Sequence, residues 1–177
     1  MGGLWHGLEI VGLKSGTDLL RFAAGAALFA ALSSAAFSRE RPPWAEEMLE
    51  AHNSVRTVLK LPPLVWSDKI AAVAQEWADT LLSRGQFLHR PKSSHGENLF
   101  EVDGGRALPE RVVGDWAAEA RDYDYRTNTC AGVCGHYTQL VWRSSRQIGC
   151  GVAHDARREI WVCNYDPPGN VIGGKPY

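Results

Sequence analysis

The chain has 177 residues, 45% hydrophobic and 22% charged, with a formal net charge of −1. That is the length and balance of one soluble globular domain rather than two. The 19 basic residues are scattered and form no stripe, which argues against nucleic acid or an acidic membrane surface as partner. The seven tryptophans point to a well-filled core before they point to a recognition platform.

The first 38 residues differ in character from the rest. Arg21 leads into an apolar run, Phe22 to Leu32, which ends in the small residues Ser34-Ala35-Ala36. A basic start, a short apolar run and small residues are the signature of a secretory signal, here with cleavage near Ala36 or Ser38. The run is shorter than the ~20 apolar residues that a membrane span needs, so the mature form is expected to have no stable span. The segment from Met1 to Leu20 is long for a basic leader and carries Glu9 and Asp18. A start downstream of Met1, or a retained anchor, therefore stands as the other reading. Residues 1–38 are read as this signal or anchor with a short linker, 39–177 as the folded domain, and the mature protein as exported to an extracellular or periplasmic space.

Beyond the linker "RERPPW", a first helix is expected from Ala45, with Met48, His52, Val55 and Leu59 on one face and Pro62-Pro63 as its stop. Ser67 and Asp68 are capping residues for a second helix whose apolar stripe is Ile70, Ala74, Trp77 and Leu81, followed by Gly85. "HGENLFEV" reads as a short strand. A third helix is expected after Pro109, with Val112, Trp116, Glu119 and Tyr123 on one face. "QIGCGVAH" and "EIWVCNY" flank the polar turn "DARR" and read as a hairpin. Helices and strands mix without βαβ alternation or repeats, which gives an α+β class.

All four cysteines, Cys130, Cys134, Cys150 and Cys163, lie in the last third. Their spacing matches no zinc pattern. In an exported chain they form disulfides, and four cysteines allow three pairings. Cys150 and Cys163 are symmetric about Ala156-Arg157 and would face each other across the hairpin, within disulfide range. That pairing leaves Cys130 with Cys134.

Two polar residues interrupt apolar stripes: His52 on the first helix and Glu119 on the third. A charge on a core-facing position is costly unless it is paired, bound to a metal or facing a water-filled cavity. Taken singly, each is more simply a boundary residue that reaches solvent. Glu97 in "HGENL" and His136 at the head of "HYTQLVW" have similar plain accounts, as a surface carboxylate and a core histidine. Brought together, two imidazoles and two carboxylates from four segments would make a divalent-cation or acid/base site. Nothing in their spacing shows that they converge.

"GHYTQLVWRSS", "GCGVA" and "VCNYDPPGN" resemble the signature stretches of the CAP superfamily of cysteine-rich secretory, antigen-five and pathogenesis-related proteins. "AHNSVR", "HGENL" and "DWAAEARDYDY" are similar to its upstream motifs and stand in the right order, closest to the plant-type branch. The resemblance covers about Ala45 to Tyr177. It implies a three-layer α-β-α sandwich with a central antiparallel sheet and a cleft lined by two histidines and two acidic residues. Carried over by motif, these are His52, Glu97, Glu119 and His136, with zinc or another divalent cation as the implied cofactor. The hairpin disulfide of the family fits Cys150–Cys163. The tail "PPGNVIGGKPY" matches a segment from which plant-type relatives are proposed to release a peptide by cutting after Asp166; the same segment could instead close the sandwich.

For function, the resemblance implies a non-enzymatic secreted binding module for sterol, lipid or another small apolar ligand, with a role in defence or in interaction with other organisms. The alternative is a hydrolase working through the same cleft by a metal-bound water or a Glu97/His136 pair. No "HExxH" or "GxSxG" is present, and oxidised cysteines leave no evident nucleophile.

Overall fold

The computed structural model describes residues 41–177; the expected signal or anchor segment lies outside the described residues. Among these residues, four α-helices and six strands follow in chain order. Helix α1 (Pro43–Val58) starts on Pro43, whose fixed φ and missing N–H suit a first helical position. β1 (Val65–Trp66) is two residues long. In α2 (Asp68–Arg84), the Ser67 hydroxyl accepts from Ile70 N–H at 3.4 Å, and Gly85 at φ +61° closes the C-terminus in the left-handed region. β2 (Gly96–Asp103) and α3 (Pro109–Ala118) follow. A 3₁₀ turn (Glu119–Asp122) leads to the small β3 (Tyr123–Asp124) and β4 (Thr129–Cys130) pair. Helix α4 (Gly135–Leu140) precedes the hairpin of β5 (Gln147–His154) and β6 (Arg158–Asp166).

The main sheet has the order β1-β5-β6-β2. It is antiparallel from β5 to β2, with β1 added as a short parallel edge. Cys150 faces Cys163 in the register and the two form a disulfide; Cys130 and Cys134 form the other. Two disulfides fit an oxidising compartment.

Side chains alternate between the two faces of the sheet, and each face has its own core. Leu99, Ala153, Ile160 and Val162 pack on Ala74, Trp77, Ala78 and Leu81 of α2. Ile148, Cys150, Trp161, Cys163 and Tyr165 face the other way, onto Met48, Val112, Val113, Trp116 and Leu140. The result is three layers: α1, α3 and α4, then the sheet, then α2. The glycines of "GCG" explain how closely α2 lies. A Cβ on Gly149 would collide with the backbone of Ala71, and one on Gly151 with that of Gln75.

Two features depart from the sequence reading. The third helix ends at Ala118, so Glu119 opens the 3₁₀ turn and Tyr123 starts β3. The segment behind Cys134, to which the sequence reading gave no element, is a helix, with Tyr137, Thr138, Gln139 and Leu140 buried.

Arg56 is fully buried although it ends the exposed-looking "HNSVR". Its guanidinium donates to four carbonyls: Pro62 at 2.9 Å, Leu140 at 3.0 Å, Trp142 at 2.9 Å and Ser145 at 3.2 Å. It thereby ties α1 to the loop that leaves α4.

The C-terminal tail closes the α4 side of the molecule. Tyr177 stacks on Tyr125 at 4.7 Å, and its hydroxyl lies 3.0 Å from that of Tyr137. Arg143 N–H donates to the Pro176 carbonyl at 2.6 Å, and Gly169 N–H donates to the Gln139 side chain at 2.9 Å.

Candidate functional site: two histidine–carboxylate pairs

His136 stands in the first turn of α4, two residues after Cys134, whose disulfide to Cys130 closes the preceding loop. One carboxylate fixes both its backbone and its ring. Glu119 Oε2 accepts from the N–H groups of His136 at 2.9 Å and Tyr137 at 3.2 Å, while Oε1 lies 2.6 Å from His136 Nδ1. An ionised carboxylate only accepts, so Nδ1 carries the proton and the neutral ring presents Nε2 as a lone pair. The Trp116 indole stacks on the imidazole, with centroids 6.1 Å apart and planes 20° apart. Trp116 is itself anchored by a hydrogen bond from Nε1 to the Leu99 carbonyl at 3.1 Å.

A second pair repeats this design at the start of β2. Glu97 Oε1 accepts from His89 Nδ1 at 2.7 Å and from Arg90 N–H at 3.0 Å. The Glu97 side chain is only 5% exposed and that of His89 66% exposed, so a buried carboxylate holds a solvent-facing ring. The other oxygen, Glu97 Oε2, is buried without a hydrogen-bond partner among the described residues. His89, His95, Glu97, Gln139, Gly169 and Asn170 border a cavity of about 400 Å³. Asn170 donates to the Gly135 carbonyl at 2.9 Å and accepts from Thr138 at 2.7 Å, which brings this rim against the start of α4.

Asn98 links the two halves. It follows Glu97 on β2, and its Nδ2 donates to the His136 carbonyl at 3.0 Å and to the Tyr165 hydroxyl at 3.2 Å. Tyr165 then donates to His52 Nε2 at 2.8 Å, and His52 Nδ1–H donates to the Met48 carbonyl at 2.7 Å. This relay shows what His52 does. Its ring is fully buried and both nitrogens are engaged within the core. Burial pushes its pKa down to about 4, against the opposing hydrogen bond to Met48. Of the four residues expected from the sequence, Glu97, Glu119 and His136 are therefore held in the two pairs, and His52 is not. It belongs to the polar relay beneath them. The imidazole that partners Glu97 is His89, which the sequence reading passed over. It lies in an aperiodic polar loop, and its only sequence cue is a position eight residues before Glu97.

Among the described residues, no three His, Cys, Asp or Glu side chains lie close enough together to hold a metal ion. Each pair instead offers one imidazole Nε2 backed by a carboxylate on Nδ1, the outer-shell arrangement that orients metal-binding histidines. A larger cavity of about 690 Å³ lies along the β5 edge and contains none of these groups.

The profile of the cysteine-rich secretory protein family, CAP, matches residues 49–165. Pathogenesis-related protein 1A of Nicotiana tabacum is 42% identical over 135 residues, which cover 75% of this chain and 80% of the tobacco protein. The chain belongs to the CAP family, in its plant-type branch. Among solved CAP structures, the venom allergen-like protein 4 of Schistosoma mansoni aligns with a TM-score of 0.65 at 26% identity, covering 77% of this chain and 95% of that one. NaASP2, whose structure is described with Zn²⁺, aligns with a TM-score of 0.66 at 21% identity, over 79% of this chain and 88% of that one. This CAP domain thus has the α-β-α sandwich of its structural relatives. No helix among its described residues is long and apolar enough to cross a membrane.

Proposed function

We propose that this CAP domain is a secreted binding module of the pathogenesis-related type whose cleft takes a divalent cation between His89 and His136. The observation that carries this reading is the duplicated geometry: two imidazoles, each with Nδ1 committed to a carboxylate, each leaving Nε2 as a lone pair. The donor set fits a borderline-soft ion such as zinc, for which imidazole nitrogen is a natural ligand. Glu97 and Glu119 act behind the rings rather than on the ion. Two protein ligands are fewer than the three usual in catalytic zinc enzymes, which favours binding over hydrolysis. When bound, the cation would supply a fixed positive charge and a Lewis acid beside the cavity that His89 borders.

Zinc titration of the apo protein by calorimetry tests the site. One binding event is expected. His89→Ala and His136→Ala should each weaken it by about tenfold or more, and Glu119→Gln by a comparable factor through loss of ring orientation. His52→Gln should leave it unchanged. Absence of heat at millimolar zinc, or loss of binding only in the His52 variant, would overturn the assignment.

For the organic ligand we retain sterol or another small apolar lipid, the class implied by the resemblance. The natively purified protein should yield such a lipid in an organic extract read by mass spectrometry. An extract no different from that of an unrelated exported protein speaks against it.

A further inference from the structure

On the β1 side of the main sheet, most of β5 is an edge. β1 pairs only with Gln147 and Ile148, and the last bond on that side runs from Ser67 N–H to the Ile148 carbonyl at 2.8 Å. Four residues on, α2 closes the edge with a side chain that imitates a peptide. Gln75 Nε2 donates to the Val152 carbonyl at 2.8 Å, and Gln75 Oε1 accepts from Val152 N–H at 3.0 Å. Cys150 stands between these two closures. In an antiparallel pair, backbone groups point toward and away from the partner strand at alternate residues. Ile148 and Val152 both turn theirs away from β6, so Cys150 does too. Among the described residues, nothing pairs with the Cys150 N–H or C=O on that side. Cys150 is only 2% exposed, and buried backbone groups without partners are rare and costly.

The 690 Å³ cavity lies over this gap. Trp44 and Trp66 wall it on the α1 side, Ala71 and Ala72 on the α2 side. Its rim carries the carboxylates of Asp79 and Asp68, the latter 3.4 Å from the guanidinium of Arg41, so the rim as a whole keeps one excess negative charge. We propose that this groove binds an extended peptide whose central residue pairs with Cys150 by strand addition. The pairing geometry also gives a preference. A residue opposite Cys150 shares its sheet face, so its side chain meets the two tryptophans. The residues on either side of it point toward α2, where Asp68 and Asp79 lie. The sequence favoured is therefore basic–apolar–basic. The site shares no residue with the histidine cleft.

The test is an amide NMR titration of the full, disulfide-oxidised chain with acetyl-Lys-Val-Lys-amide. Saturable shifts centred on Cys150, Val152 and Ala72 are expected, with His89 and His136 unmoved. N-methylation of the central valine removes the donor to the Cys150 carbonyl and should weaken binding about tenfold. Ala72→Trp, on the exposed side of α2, should fill the groove and abolish binding without shifting the unfolding midpoint. Should that variant fold poorly, Asp68→Asn keeps the acceptor for Trp66 Nε1 and should weaken this peptide but not acetyl-Nle-Val-Nle-amide. The proposal is overturned if millimolar peptide moves nothing near Cys150, if the shifts centre on the histidine cleft, or if the N-methyl peptide binds as well as its parent.

Discussion

Arg56→Met is expected to lower the stability of the domain by about 4 kcal/mol in equilibrium denaturant unfolding. The guanidinium is fully buried, donates to four carbonyls and, among the described residues, has no carboxylate in ion-pair contact. Burial lowers its pKa to about 10, so it still carries its charge at neutral pH. What compensates for that charge is a cage of peptide dipoles. The Leu140 carbonyl ends α4 and that of Trp142 follows just past its cap, and a cation is electrostatically favoured at this end of a helix. Methionine fills similar volume but takes this donor from all four acceptors; Trp142 keeps a bond from Ser145 N–H at 3.2 Å, while the Pro62, Leu140 and Ser145 carbonyls are left at roughly 1–3 kcal/mol for each that water does not reach. Arg56→Lys should recover only part of the loss, because an ammonium cannot span carbonyls from three separate stretches of chain as the planar fork does. A loss below about 1 kcal/mol for Arg56→Met would mean that these carbonyls are satisfied without it.

Arg56 also marks how far the sequence could be read. The elements with strong periodicity or clear stops were legible: α1 with its Pro62-Pro63 exit, α2 from Ser67 to Gly85, and the β5–β6 hairpin with its cysteines in register. β1 was not, because two residues that pair in parallel with a strand some eighty positions away leave no local pattern. Helix α4 was hidden for a related reason. It has six residues, and its first backbone N–H groups are satisfied by Glu119, a side chain seventeen positions upstream. At the site, Glu97, Glu119 and His136 sit in recognisable motifs. His89 was missed because its role depends on a loop folding back onto Glu97, and no helical or strand period encodes that contact. His52 misled for the opposite reason. A histidine on a buried stripe signals an unusual environment, but not whether that environment is a cleft or a closed hydrogen-bond relay. Arg56, one helical turn further along the same face, belongs to that buried stripe too.

The relay gives His52 a measurable signature. The folded ring titrates near pH 4 and the exposed ring near 6.5, so between these values the unfolded chain binds the extra proton. Stability then rises with pH across that window: the His52 contribution is complete above about pH 6.5 and is lost as the pH falls toward 4, by about 3 kcal/mol in all. Denaturant unfolding at a series of pH values should show this slope in the wild-type protein, and His52→Gln should flatten it while lowering stability at neutral pH. Tyr165→Phe separates the cause. Burial, rather than the Tyr165 hydroxyl, is the largest influence on the ring, so that variant should lose stability yet keep the slope. Parallel pH profiles for wild type and His52→Gln would mean that the folded ring takes up a proton as readily as the exposed one. At mildly acidic pH Nε2 would then carry a proton and could not accept from Tyr165, and the path from His52 through Asn98 to the His136 carbonyl would be broken there at its first step.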